Sequence, residues 1–425
     1  MRTISADWVV PVEGEPIEQG AVAISDDGTI AAIGLADDLG RDDHHEGCVI
    51  VPGFVNSHSH IEYAVYAGFG DGLPFVPWIG IHIQRKDALD FDDMTAIATV
   101  GAYESLRSGI TTTGDCSFSG AAALAAATTG LRAIIYLEVF NSEIPVLDRF
   151  FAARTKIERS LSDRVRVGIS PHAPYTCTLE DYRACATLGI PQATHFAESP
   201  AEREWLVNGT GDWSPLARFL VPPSGETGIR MLAQEGLLTP SLMAAHCVHA
   251  DTDEIGMLAA GGVGVAHCPR SNGYLGCGVA PVDELRAAGV SVSIATDSPA
   301  STPSLDLFDE IRAAIITARS RAQRPDALSA ADALELATLG GARVLGMEAS
   351  VGSLVPGKQA DLTILSLADS PFDPVEDPVR AVVLGGSPAR VTATLIAGEK
   401  RYLKGTTRWP DSTRAARKAR SRMLR

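Results

Sequence analysis

The stretch Val49-Ile50-Val51-Pro52-Gly53-Phe54-Val55-Asn56-Ser57-His58-Ser59-His60 runs apolar for most of its length and ends on two imidazoles. Side chains alternate along a strand, so residues two apart share a face. His58 and His60 therefore point the same way, with Ser59 turned aside. Three further apolar runs end in the same manner, on His195, His246 and Asp297. In a (β/α)₈ barrel every strand ends at one mouth, where side chains from distant parts of the chain meet.

The spacing between these runs supports that arrangement. Eight short apolar or β-branched segments fall at 50–58, 110–115, 132–138, 165–170, 192–196, 242–246, 263–267 and 291–296, with helical patterns between them. Alternation of this kind predicts a parallel sheet, and eight repeats predict a closed TIM barrel. Asp92-Asp93-Met94 opens one helix with an acidic first turn, and Ser108-Gly109 stops it. The two ends of the chain read differently. Ala21–Ile24, a turn at Asp26-Asp27-Gly28, and Ile30–Ile33 form a hairpin pattern. The runs 361–365, 381–384 and 391–396 have the same short-strand texture. The fold expected is α/β: a barrel over 51–349, with residues 1–50 and 350–425 joining in a small composite β-sandwich domain.

Composition bounds the function. The chain has 425 residues, 45% of them hydrophobic and 21% charged, with a net charge of −16. That balance predicts no nucleic-acid partner, because phosphate recognition needs a basic footprint. The last 25 residues reverse the sign, with nine Lys or Arg and one acid, Asp411. They read as a helix over 412–424 lying on an acidic body. No apolar run is long enough for a membrane span, and no signal peptide is read at the N-terminus. Seven Cys without a CxxC pair suggest reduced thiols, hence a cytoplasmic location. They are expected as buried small hydrophobes, with Cys247 and Cys268 on the outside of the barrel wall.

The chemistry lies at the strand ends. Two imidazoles at i and i+2 can chelate one ion, His195 can add a third nitrogen, and Asp297 a carboxylate, since a carboxylate after a buried strand is costly unless paired or metal-bound. The predicted metal set is His58, His60, His195 and Asp297, with room for a water. Glu198, three residues past His195, stays free beside it. His246, His267 and His172 also close strands, and each reads either as a satisfied core imidazole or as a pocket residue. Glu62 and Glu138 near strand ends line a pocket or lie on the surface. His44-His45 is a solvated pair, and His82 and His249 read as structural. Two long loops, 61–90 and 199–239, carry Trp78, Trp205 and Trp213, which either wall a planar substrate or pack their own loops. No Lys closes the fourth strand, which favours a single ion over a lysine-bridged pair.

These residues resemble a known family. The 51–60 motif resembles the entry motif of the amidohydrolase superfamily. His195-Phe196-Ala197-Glu198, Ala245-His246-Cys247-Val248-His249, His267-Cys268-Pro269-Arg270-Ser271-Asn272 and Ala295-Thr296-Asp297-Ser298 resemble its cytosine/guanine deaminase and chlorohydrolase branch, as does the 352–362 segment. Ser170-Pro171-His172-Ala173-Pro174-Tyr175 is similar to a segment of S-adenosylhomocysteine/methylthioadenosine deaminases. His58-Ser59-His60-Ile61-Glu62-Tyr63 is similar to aminodeoxyfutalosine deaminases. The resemblance implies one divalent ion, zinc or in some members iron. It implies Glu198 as proton shuttle, and His246 with Asp297 holding the attacking water. His172, Trp78, Glu62 and His267 would contact the substrate. The function so implied is hydrolytic deamination of an amino-substituted N-heterocycle, an adenine-type nucleoside or related base, with ammonia released through metal-activated water. The alternatives are a chlorohydrolase or a triazine, pterin or guanine deaminase at the same site, and a non-catalytic scaffold that keeps only the fold. The family also implies a homo-oligomer.

Overall fold

The computed structural model describes residues 1–424. The N-terminal segment supplies β1 (Arg2–Val9), β2 (Ile17–Glu18), β3 (Gly20–Ile24), β4 (Ile30–Leu35) and β5 (Asp43–Pro52). Eight strands follow: β6 (Phe54–Ser59), β7 (Ile110–Ser117), β8 (Arg132–Val139), β9 (Val165–Pro171), β10 (Gln192–Phe196), β11 (Leu242–His246), β12 (Gly264–His267) and β13 (Val292–Ile294). The chain ends with β14 (Leu362–Ser366), β15 (Val391–Ile396) and β16 (Glu399–Leu403). Strands β6 to β13 pair in sequence order, all parallel, with helices in the connections. The ring closes between its first and last members. Asp297 N donates to the His58 carbonyl (3.0 Å), and Thr296 N donates to Asn56 Oδ1 (2.9 Å). The termini form one continuous sheet in the order β16-β15-β14-β5-β1-β3-β4, with β2 on β1. This is the composite unit expected, built as a single sheet.

Two apolar layers follow from the two faces of the barrel strands. Val55, Ile134, Tyr136, Ala193, Met243 and Ala266 face inward and cluster with Ala342 and Val344 at the barrel floor. Their neighbours Phe54, Ile135, Phe196, Ala244 and Val265 face the helical shell. Three details differ from the sequence reading. The apolar run 50–58 is two strands: Ile50 and Val51 pair antiparallel with Ile364 and Thr363 of β14, and the chain enters the barrel only at Phe54. Gly53 makes that switch possible, since a Cβ there would lie 2.1 Å from Thr111 Cγ2. The run 381–384 lies within the helix Pro378–Gly385, not in a strand. A four-residue apolar run fits either period, and here Asp377 caps the Arg380 N–H with Pro378 in the first turn, which starts a helix. Cys268 joins Ala266 in the inner cluster, whereas Cys247 lies in the outer one. The expectation that both face outward thus fails for Cys268, because residues two apart on a strand share a face.

All seven Cys are free and buried. Among the described residues, no helix is long and apolar enough to cross a membrane. The basic tail forms the helix Pro410–Met423 and packs on the helix Phe91–Arg107. The latter is capped by Asp90, whose side chain accepts from Asp93 N in a capping box.

Candidate active site

The two imidazoles at the end of β6, His58 within it and His60 just past it, owe their direction to a bulge. Asn56 pairs with Thr113 and Ser59 with Asp115, so β6 spends three steps where β7 spends two. The extra residue shifts the alternation, and His58 and His60 turn into the barrel mouth. Ser59 goes to the other side, bonded to Thr113 Oγ1 (2.7 Å) and Asp115 Oδ2 (2.8 Å). His246 and Asp297 reach the same mouth through backbone of positive φ, 72° and 58°. Non-glycine residues adopt that region rarely, and it clusters at functional sites.

The donors converge. His58 Nε2 and His60 Nε2 lie 3.4 and 3.5 Å from Asp297 Oδ1. The rings of His58 and His195 have centroids 5.0 Å apart, and those of His195 and His246 5.6 Å. Atoms of His58, His195 and His246 lie within 4.8 Å of one another, as do those of His58, His60 and Asp297. His246 therefore stands as near the centre as the four residues read as ligands. His195 Nδ1 donates to the His172 carbonyl (2.7 Å), which leaves Nε2 free to accept. The other Asp297 oxygen accepts from Ser271 (2.6 Å) and Ser301 (3.0 Å). His246 Nδ1 is bonded to Asn272 Oδ1 (3.0 Å). Sequence reading assigned no role to Ser271, Asn272 or Ser301. Ser271 and Asn272 had a signal, their place in the first turn of the helix Pro269–Tyr274 that follows β12; Ser301, seven residues past the end of β13, had none.

Electrostatics suit a cation. Burial, helped by the neighbouring His58, lowers His60 to about 3. Burial likewise lowers His246 to about 4. These imidazoles are neutral, the form that ligates. Burial alone would raise Asp297, but His58, His246 and His60 hold it well below the usual carboxylate range. His58 Nε2 and His246 Nε2 are buried without a hydrogen-bond partner. Unspent nitrogens around an ionised carboxylate fit a divalent ion, and the N and O donor set fits zinc or iron. Glu198 differs: burial, with Asp297 and Glu202 adding, pushes its carboxyl well above the ordinary range. Its oxygen lies 3.7 Å from His246 Nε2. Glu202 fixes the turn beneath it by accepting from Ala197 N (2.9 Å) and Glu198 N (2.8 Å).

Above these groups lies a cavity of about 470 Å³ that His60, His172, His195, Glu198, His246 and Asp297 reach into. Its walls are Phe75, Trp78, Phe140, Tyr175, Trp213 and Phe219, mostly from the two long loops. Of the residues read as substrate contacts, His172 and Trp78 line it. Glu62 and His267 do not. Glu62 is fully buried and accepts from Ser119 N (3.1 Å) and Ser119 Oγ (3.0 Å) at the start of the helix Ala121–Thr129. His267 is set back because its neighbours Ala266 and Cys268 take the inner face. Direct substrate contact by either does not fit this placement. Glu138 takes the wall position instead, its carboxyl pushed up to about 7 by burial despite Lys86 nearby. His82, read as structural, also lines the cavity, as does Trp213, while Trp205 ties its own loop by donating to the Val221 carbonyl (3.0 Å).

The chain is similar to known proteins over nearly its whole length. The amidohydrolase family model matches residues 49–401. A 5-methylthioadenosine/S-adenosylhomocysteine deaminase of Moorella thermoacetica is 33% identical over 424 residues, 95% of this chain and 94% of that protein. A 5'-deoxyadenosine deaminase of Methanothermobacter thermautotrophicus is 34% identical over 361 residues, 83% of this chain and 81% of that protein. Among solved structures, a zinc-bound adenosine deaminase from Xanthomonas campestris superposes with a TM-score of 0.86 at 29% identity, covering 99% of this chain and 98% of that one.

Proposed function

The chain belongs to the amidohydrolase family, and from that premise we propose that it is a metal-dependent hydrolytic deaminase of adenine-type nucleosides. The reading rests chiefly on one observation: a buried carboxyl, Glu198, faces His246 and the Asp297 cluster at the base of an aromatic-walled cavity, where burial favours its protonated form. Relatives of this length and similarity named as deaminases of adenine nucleosides support the substrate class.

His58, His60, His195 and Asp297 would hold the ion, with His246 close enough to join them or to hold water. A divalent ion there, zinc in this proposal, supplies Lewis acidity that lowers the pKa of water toward about 7. The protein's own groups do the rest. Trp78 and the facing aromatic rings sandwich the base and exclude bulk water, while His172 orients the heterocycle from the side. Glu198 Oε gives its proton to the ring nitrogen beside the amino-bearing carbon, so charge does not build on the ring as the water oxygen adds. Asp297 and His246 hold the water and take its proton. Glu198, now ionised, takes the proton released by the added hydroxyl and delivers it to the departing amine, and the proton held by Asp297 and His246 then returns to Glu198. The C–N bond breaks, a carbonyl replaces the amine, and ammonia leaves. Positioned proton transfer of this kind contributes about 10²–10⁴ in rate.

An ammonia-release screen with zinc-loaded protein tests the reading. Adenosine, 5'-deoxyadenosine, 5'-methylthioadenosine and S-adenosylhomocysteine form the supporting panel. Guanine, pterins, cytosine and chloro- or amino-triazines form the contrary one. Ammonia from the first panel supports the proposal. Turnover confined to the second, as ammonia or as chloride, would overturn the substrate class.

A further inference from the structure

The basic segment near the end of this acidic chain is folded against the helix Phe91–Arg107 and the loop after β6. The helix Pro410–Met423 buries Ala416 and Ala419 against Ile97 and Val65, and Arg422 pairs with Asp93. Its inner arginine, Arg420, donates to the Val65 carbonyl and to the Ala67 carbonyl (3.2 Å). The Arg420 guanidinium also lies over the Phe69 ring, 4.4 Å from its centroid. A second guanidinium, Arg85, lies over the same ring at 4.0 Å. Arg85 in turn donates to the Met423 carbonyl (2.6 Å) in the tail helix. Three separate segments are thus tied at one point: the tail, the loop after β6, and the helix Phe75–Lys86.

That helix carries Trp78, His82 and Lys86 into the substrate cavity. The loop tied to it is anchored by Tyr66, fully buried against Tyr63, Phe69 and His82, and beyond that anchor it turns on glycines. Gly68, Gly70 and Gly72 all have positive φ. A hollow of about 230 Å³ lies beside the loop, lined by Phe69, Gly70, Trp78 and Ala300. At Gly70 a Cβ would come 2.8 Å from Trp78 Cδ1, so the loop backbone rests directly on the indole.

We propose that Arg420 is a positioning residue: through Phe69 and Arg85 the C-terminal helix sets where the Trp78 wall of the cavity stands, and so sets substrate affinity. The proposal rests on the reading of this cavity as the substrate pocket. None of the three residues touches a reacting group, so the chemical step itself is untouched. A carbonyl pair suits the guanidinium fork, which a lysine ammonium cannot match.

The test uses full-length, zinc-loaded R420A, R420K and F69L. Two quantities are read: hydrogen exchange over residues 61–86 without substrate, and KM and kcat for ammonia release from 5'-deoxyadenosine. R420A and F69L are expected to speed exchange over 61–86 and to raise KM, each about tenfold, the loss of one or two interactions of this kind. The kcat stays within about twofold, metal content is unchanged, and exchange in the barrel strands is unaltered. R420K falls between wild type and R420A. Wild-type exchange over 61–86 in R420A and F69L overturns the proposal, as does a lowered melting temperature with KM unchanged, which marks the helix as a plain brace. If R420A does not fold, F69L decides. If the wild-type protein releases no ammonia, the deaminase reading fails separately, and the exchange data still decide the role of Arg420.

Discussion

Glu198 Oε1 stands 3.7 Å from His246 Nε2, a buried nitrogen that makes no hydrogen bond. Burial pushes the Glu198 carboxyl above its ordinary range, and both residues line the cavity where one reacting atom can meet the two. The pair makes Glu198 the group whose proton can move without first breaking an ion pair.

Replacing Glu198 with Gln keeps the volume and removes the transferable proton. The variant is expected to bind zinc at wild-type stoichiometry and to lose about 10²–10⁴ in kcat. Elemental analysis beside steady-state kinetics checks both halves. Near-normal kcat removes Glu198 from proton transfer.

Ser271 and Ser301 orient the Asp297 carboxylate through bonds of 2.6 and 3.0 Å. Loss of a group that orients a ligand typically costs about 10–100-fold in metal affinity or activity. Ser271→Ala is expected in that range, and Asp297→Ala well beyond it. Zinc titration with a competing chelator ranks them. Equal affinity in all three proteins would mean that Asp297 is not a ligand.

Arg132 opens β8 and is buried against Asp361, with bonds of 2.9 and 3.1 Å. Asp361 also accepts from Ala397 N at 2.8 Å. Breaking a buried pair from one side strands a charge and costs about 3–5 kcal/mol. Asp361→Ala should lower stability by that order in denaturant melts, while Arg132→Met with Asp361→Leu should recover much of it. A near-neutral single variant contradicts the pairing.

The Glu13 carboxyl is held below its ordinary value of 4.5 first by the Ser353 hydroxyl, which outweighs the opposing effect of burial, and then by Lys358. A depressed carboxylate contributes stability that is full above its unfolded pKa and lost as pH falls through the folded one. Glu13 is partly exposed, so solvent screening limits the effect to about 0.5 kcal/mol. Ser353→Ala should therefore be slightly less stable than wild type at pH 7, and the gap should close on acidification below pH ~4.5. Urea melts across that range measure it. A gap that widens in acid reverses the assignment.

The strand ends were legible because period-two apolar runs stop abruptly on residues that do not belong in a core. His195 and Asp297 follow directly from that rule. His58 and His60 were placed correctly in direction, but the bulge that turns them inward leaves no compositional mark, since Asn56 to Ser59 reads as ordinary strand. His267 closes a strand as His246 does, yet one lies behind the wall and the other in it. His246 turns into the mouth through backbone of φ 72°, which no periodicity reports, whereas His267 keeps the alternation that puts Ala266 and Cys268 inside. Glu62 was misjudged for another reason: its carboxylate satisfies the start of the helix Ala121–Thr129, a tertiary demand made by residues 55 or more positions away. The aromatic wall was beyond reach, because Phe75, Phe140 and Phe219 come from loops whose course depends on what they pack against.

The switch at Gly53 reaches further than local geometry. The chain passes from a strand of the terminal sheet to the first barrel strand across one residue, and five residues later it delivers His58. No hinge separates the two bodies at this point. A minimal catalytic core therefore cannot be cut from this protein by trimming its ends: removing 362–396 would strip β5 of its neighbour β14, and the slack would arrive at the imidazoles almost undiminished.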